Sequence, residues 1–269
     1  MVENKYSDNA LIFIHQVLNK LYGKLKSNRI VNGTVEIINA NLEFYANGEL
    51  ILELGESRKG QHKYVENEKA WYLSMDRCIK NHPGIETNPI WCRIATDDGI
   101  VNSNYGWCVF SPENGNPYAG ASKHTEAKPM SQYDYALKQL IEKPEGRQSI
   151  IYYSRPQMQW EWNDCINAKY DFTCTINTQH FIRDNKLDYI VNMRSNDAIR
   201  GLHCGDLPWH KYVFDKMLVD LNKATNNNYK PGDIFWNAGS LHVYERDYEL
   251  LIKIVEEYLN YCKSNENDS

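Results

Sequence analysis

Residues 171 to 179 read Asp-Phe-Thr-Cys-Thr-Ile-Asn-Thr-Gln, with Cys174 near the centre. Phe172, Cys174 and Ile176 alternate with polar residues, the period-two pattern of a strand. A cysteine in such a place has two fates. Packed in a core it is a small, inert hydrophobe; beside a cation it becomes a thiolate and a nucleophile. Working outward, Gln179 adds an amide five residues on, Asn-Met-Arg-Ser-Asn-Asp at 192 to 197 adds a cation and anion-binding side chains, and Gly-Ser-Leu-His-Val-Tyr follows at 239 to 244.

The 269 residues suit one α/β domain spanning residues 1–269. A formal charge of −5 argues against a nucleic-acid polymer as partner. Seven cysteines without a Cys-x-x-Cys pair argue against a zinc site and a disulfide framework, so no metal is expected. An odd thiol count is ordinary in a reducing compartment. The N-terminus has no hydrophobic signal core, and no apolar run is long enough to span a bilayer, so the expectation is a cytoplasmic protein that makes no use of a membrane.

Residues 10 to 26 carry Leu11, Ile14, Leu18, Leu21 and Leu25 on one helical stripe, and Arg29 follows. Thr34 to Phe44 reads as a strand, Glu66 to Ile79 as a helix burying Trp71 and Tyr72, and Ile90 to Ile94 as a strand region. An extended surface loop is expected over 111–130. Ser131 and Asp134 form a capping pair for a helix Tyr133 to Lys143, which leads to a strand Ser149 to Ser154. Lys263 to Ser269 reads as a disordered tail.

The order of these motifs resembles the thymidylate synthase superfamily: Cys174 with Gln179, an Arg-Ser-x-Asp block at Arg194, Ser195 and Asp197, and a His-x-Tyr pair at His242 and Tyr244. Asn-Ser-Asn-Tyr-Gly-Trp (102–107), Met-Arg-Ser-Asn-Asp and Gly-Ser-Leu-His-Val-Tyr are similar to its deoxycytidylate (pyrimidine nucleotide) 5-hydroxymethylase branch, found in T-even phages. The likeness runs between residues 30 and 248. It implies an α/β (α+β) fold of thymidylate synthase type, a mixed β-sheet with flanking helices, packed sheet to sheet as a homodimer. It also implies a pyrimidine nucleoside monophosphate as substrate and 5,10-methylenetetrahydrofolate as cofactor.

The implied chemistry suits the residues. A pyrimidine C5 is a poor nucleophile until a thiolate adds at C6, and a thiolate can later leave again. Cys174 would add, with the Arg194 cation lowering its pKa and also meeting the phosphate. Synthases then deliver hydride, whereas hydroxymethylases add water, which Glu68 would position with help from Tyr105. Arg29, Ser195 and a partner-supplied Arg147 would hold the phosphate, Gln179 would bind nucleotide, His242 and Tyr244 the sugar 3′-hydroxyl, and Asp197 the pterin. Each has a plainer reading: Arg29 and Glu68 as solvated surface, Tyr105, His242 and Tyr244 as packing residues. In the family two adjacent arginines cross the dimer interface; Gln148 in the second place removes one charge and a bidentate donor.

Base choice rests on Gly201-Leu-His-Cys-Gly-Asp206-Leu-Pro-Trp209. Uracil enzymes of the family use asparagine here and cytosine enzymes aspartate, whose carboxylate accepts from the 4-amino group and a protonated N3. Asp206 stands three residues before Trp209, as the cytosine branch requires, yet one residue late from Gly201. The alternative reading makes it the N-cap of a helix Pro208 to Leu221, with proline in its first turn. The expectation is 5-hydroxymethylation of dCMP. A CMP hydroxymethylase, a dUMP hydroxymethylase or thymidylate synthase, and a catalytically idle nucleotide-binding relative stand as alternatives.

Overall fold

A computed structural model describes residues 5–48, 50–115, 130–164 and 171–267. Helices α1 (Asp8–Phe13) and α2 (Asn19–Lys26) are joined by a wider turn, Ile14–Leu18, and are followed by strand β1 (Thr34–Tyr45) and helix α3 (His62–Ser74). Short helices α4 (Pro89–Ile94), α5 (Tyr105–Phe110) and α6 (Pro112–Gly115) precede α7 (Gln132–Glu142), strand β2 (Ile150–Tyr152) and α8 (Met158–Asp164). Strands β3 (Thr175–Arg183), β4 (Lys186–Met193) and β5 (Asn196–Asp197) lead into a wide helical segment, Ala198–Asp206, continuous with α9 (Leu207–Thr225). Strand β6 (Lys230–Tyr244) and helix α10 (Tyr248–Asn267) come last.

The chain forms two compact units. Residues 1–65, 190–215 and 231–269 make the first, and 66–189 with 216–230 the second. In the first, β1 runs antiparallel to β6, from Thr34 opposite Tyr244 to Tyr45 opposite Asp233, while β5 pairs parallel to β6. This is the expected mixed sheet. Burial along β1 switches from Val35 to the even positions Ala40, Leu42 and Phe44, because Asn39 adopts a left-handed φ of 53° between them. Ser7 caps α1 by accepting from the Ala10 N–H, and Phe13, Ile14, Val17, Leu18 and Leu21 are fully buried. That is the predicted stripe, with Leu11 and Leu25 at its margins.

In the second unit β2 pairs antiparallel with β3, Ile150 opposite Gln179. Helix α3 ends at Ser74, short of the expected Ile79, because Met75 turns left-handed at φ 57°. The stretch expected as a strand at 90–94 is helical. Asn88 accepts from the Ile90 N–H and Pro89 fills the first helical position, a start signal stronger than a short apolar run. Trp91 on this helix packs edge-on against Trp71 at 4.8 Å. Ser131 caps α7 as expected, accepting from the Asp134 N–H. Of the loop expected over 111–130, Pro112–Gly115 is helical and 116–129 lie outside the described residues. The tail reading is corrected as well, since α10 continues to Asn267. No helix among the described residues is long and apolar enough to cross a membrane.

Candidate active site

Cys174 sits at a bend just ahead of β3, half-exposed. The buried-core reading of this cysteine fails. It is the polar neighbours Asp171, Thr173 and Thr175 that face inward. Asp171, 2% exposed, explains the inversion. Its carboxylate accepts from the Ser103 N–H at 2.8 Å, from the Asn102 N–H and from the Ser103 hydroxyl. The Asn102 amide donates to the Asp171 carbonyl at 3.2 Å and to Glu161 at 3.0 Å. Arg155 and Arg77 donate to the Asn102 side-chain oxygen at 3.0 and 2.8 Å, and Arg155 pairs with Glu161 at 2.6 Å. Burial pushes the Asp171 carboxyl up, with the Ser103 and Asn102 donors and Arg77 opposing. A buried polar group left unpaired costs about 1–3 kcal/mol, so this set of bonds fastens the Asn102–Ser103 turn to the cysteine's own loop.

That turn delivers Tyr105. Asn104 caps α5 by accepting from the Trp107 N–H at 2.8 Å, and Tyr105 is its first residue. Its ring is 4% exposed, and its hydroxyl accepts from the Thr175 N–H, next to Cys174, at 3.1 Å. Tyr72 stacks on the ring at 5.4 Å and Tyr153 meets it edge-on at 5.0 Å. Gly106 must be glycine: a Cβ would stand 1.7 Å from the Tyr72 carbonyl oxygen. Glu68 lies one turn before Tyr72 on α3 and is 5% exposed, which removes the solvated-surface reading. Gln179 donates to the Arg147 carbonyl at 2.8 Å, leaving the Arg147 and Gln148 side chains exposed.

The other predicted residues belong to the first unit. Arg194 is exposed and Ser195 half-exposed on the link between β4 and β5. Gly239 lets β6 pass this link closely, for a Cβ there would stand 2.8 Å from the Arg194 carbonyl oxygen. The parallel register sets Asp197 beside His242. His242 is buried, and its ring meets Tyr244 edge-on at 4.8 Å. Burial lowers the His242 pKa, with Asp197 opposing. Arg246 lies over the Tyr244 ring at 4.5 Å and reaches Asp197 at 3.3 Å. Arg29 is exposed at the end of the turn after α2.

Asp206 is not an N-cap. That role belongs to Asp197, whose carboxylate accepts from the Ile199 and Arg200 N–H groups at 3.0 and 2.9 Å. Asp206 lies inside the helical run, at the end of the wide segment, where the Leu207 N–H reaches back five residues to Leu202. A turn closed over five residues holds one more than an α-turn. Burial pushes the Asp206 carboxyl up to about 6, the Asn196 amide opposing by donating to it at 2.7 Å.

Motif reading missed the residues that do the holding: Asp171, Asn102, Arg77, Arg155 and Glu161 in one unit, Asn196 and Trp236 in the other. Several stand inside quoted motifs, but a polar residue in a strand-like stretch gives no sign that it is buried. Among the described residues no group of three or more His, Cys, Asp or Glu could hold a metal ion.

The thymidylate synthase family model matches residues 10–262. The chain is 40% identical over 190 residues to the deoxycytidylate 5-hydroxymethyltransferases of Enterobacteria phages T4 and T2, covering 70% of each chain. It is 26% identical over 182 residues to the thymidylate synthase of Bacillus phage phi3T, covering 67% of this chain and 56% of that one. Its fold is similar to that of thermostable thymidylate synthase A from Bacillus subtilis, with a TM-score of 0.58, 20% identity, and coverage of 88% and 83% of the two chains.

Proposed function

The chain belongs to the thymidylate synthase family, and we propose that it catalyses 5,10-methylenetetrahydrofolate-dependent 5-hydroxymethylation of dCMP, residues 1–269 acting as one catalytic domain. One observation carries the cytosine choice: a half-buried carboxylate, Asp206, held by the Asn196 amide at 2.7 Å. The relatives named deoxycytidylate 5-hydroxymethyltransferase support the same reading.

In this reading Cys174 adds through sulfur to C6 and later leaves; its half-exposed position suits a nucleophile. Bound methylenetetrahydrofolate supplies the one-carbon unit. Glu68, buried one turn from Tyr72, holds the water that closes the new exocyclic carbon as a hydroxymethyl group, and Tyr105 orders that water. Arg29, Arg194 and Ser195 take the phosphate, which suits their exposure. His242 and Tyr244 take the sugar 3′-hydroxyl, and Gln179 the nucleotide edge. Asp197 fits the amino-pterin, a donor group, because among the described residues the one contact to its second oxygen is that from Arg246 at 3.3 Å.

A homodimer with Arg147 acting in trans completes the proposal. Exposed apolar residues on strands support it: Ile38 and Tyr45 in one unit, Tyr152 and Ile176 in the other. Incubating the protein with methylenetetrahydrofolate and dCMP, CMP or dUMP tests the reaction. Equal amounts of 5-hydroxymethyl-dCMP and tetrahydrofolate are expected. Dihydrofolate with a 5-methyl nucleotide would make the chain a synthase, and no release of tritium from C5 of any of the three would make it an idle relative.

A further inference from the structure

Asn196 occupies the variable place of Arg-Ser-x-Asp, and the reading above gives it no role. It is 2% exposed on β5, between two fixed partners. The Trp236 indole N–H donates to its side-chain oxygen at 3.2 Å, and its amide nitrogen donates to Oδ2 of Asp206 at 2.7 Å. An indole can only donate, so Trp236 settles which end of the amide faces Asp206. Gly201 keeps the space open, for a Cβ there would stand 3.0 Å from both the Asn196 nitrogen and that Asp206 oxygen.

We propose that Asn196 is a positioning residue for base selection, oriented by Trp236 so that Oδ2 of Asp206 is held by the protein and Oδ1 is presented to cytosine. The inference rests on Asp206 recognising the base. Cytosine offers a donor, its 4-amino group, beside an acceptor, N3. A carboxylate can serve both only when one proton lies between it and N3. A hydrogen bond into Oδ2 favours charge on that oxygen and leaves the proton, taken from solvent with the nucleotide, to Oδ1 and N3. With the amide reversed or removed, neither the carboxylate's plane nor the proton's place is fixed. Uracil can donate N3–H to the carboxylate, but it sets the O4 acceptor where cytosine has its amino donor, so its 4-position is left facing Oδ1 acceptor to acceptor. The groups acting on the Asp206 carboxyl are burial, which raises it, the Asn196 bond, which opposes, and the like charge of Asp197, which adds to the rise.

The test compares Asn196→Ala and Trp236→Phe with the unchanged protein, measuring kcat/KM for dCMP and dUMP from pH 5 to 9. Asn196→Ala should lower the dCMP to dUMP preference about tenfold, as expected for one lost hydrogen bond to a charged group. It should also move to higher pH the titration that Asp206→Asn abolishes. Trp236→Phe, which keeps an aromatic ring in the core, should do the same to a lesser degree, and it carries the test if the alanine variant does not fold. A merely structural Asn196 would lower both substrates together and leave the pH profile in place, overturning the proposal. Asp206→Asn separates the two ideas. If it shifts base preference while Asn196→Ala and Trp236→Phe do not, only the positioning role fails; if it shifts nothing, the base-recognition reading fails and the proposal with it.

Discussion

Replacing Asp206 by asparagine should make the protein more stable at neutral pH. The carboxyl rises from 3.8 to about 6 because folding desolvates it more than Asn196 compensates. Between those values the folded chain binds more protons than the unfolded one. This carboxyl's contribution is therefore fully present below pH 3.8, falls as pH rises, and is lost above about 6. At about 1.4 kcal/mol per tenfold change in proton affinity, the ionised carboxylate costs the fold about 3 kcal/mol at pH 8. Asparagine does not titrate, and its side-chain oxygen can still accept from Asn196. The stability gap between Asp206→Asn and the unchanged chain should therefore widen by about 2 kcal/mol between pH 4.5 and 8. Urea titrations followed by tryptophan fluorescence at the two pH values measure it, and taking the difference between proteins cancels every other titrating group. The same variant should lose its preference for dCMP, the trade of stability for function expected of a half-buried site carboxylate. A gap constant to within about 0.5 kcal/mol, or one that narrows, would refute the claim that desolvation governs this group.

Cys174→Ser should lose at least about a thousandfold in turnover while equilibrium dialysis still detects nucleotide binding, because a serine hydroxyl is far less ionised than a thiol; near-normal turnover would remove the covalent mechanism. Gly106→Ala should cost about 3 kcal/mol or more in chemical denaturation, since its methyl would overlap the Tyr72 carbonyl at 1.7 Å. A loss under about 1 kcal/mol would show that α3 and α5 can part easily. Mixing Arg147→Ala chains with Cys174→Ala chains should restore part of the activity by creating one intact site per heterodimer. No recovery, with heterodimers shown to form, would mean that the phosphate site is built within one chain.

The sequence by itself determined the family. The spaced motifs around Cys174, Arg194 and His242 carry the family resemblance, and that spacing survives in the linear chain. Helix α7 and the stripe of α1 and α2 were legible for the same kind of reason, a cap and a periodicity that act over a few residues. What a residue faces is decided by partners distant in the chain. Alternation pointed Cys174 inward, yet the Asp171 contacts with Asn102 and Ser103, 69 and 68 residues away, turn the polar side in and leave the thiol half-exposed. Asp206 was legible as a base reader or a cap. Tertiary structure removed the cap, because Asp197 already fills that role and a wide turn draws Asp206 into the helical run. Asn196 and Trp236 lie forty residues apart, and only the packing of β5 against β6 joins them. Local propensity acts through neighbours in sequence, whereas desolvation and hydrogen bonding in a core act through neighbours in space, and the second set exists only once the chain has folded.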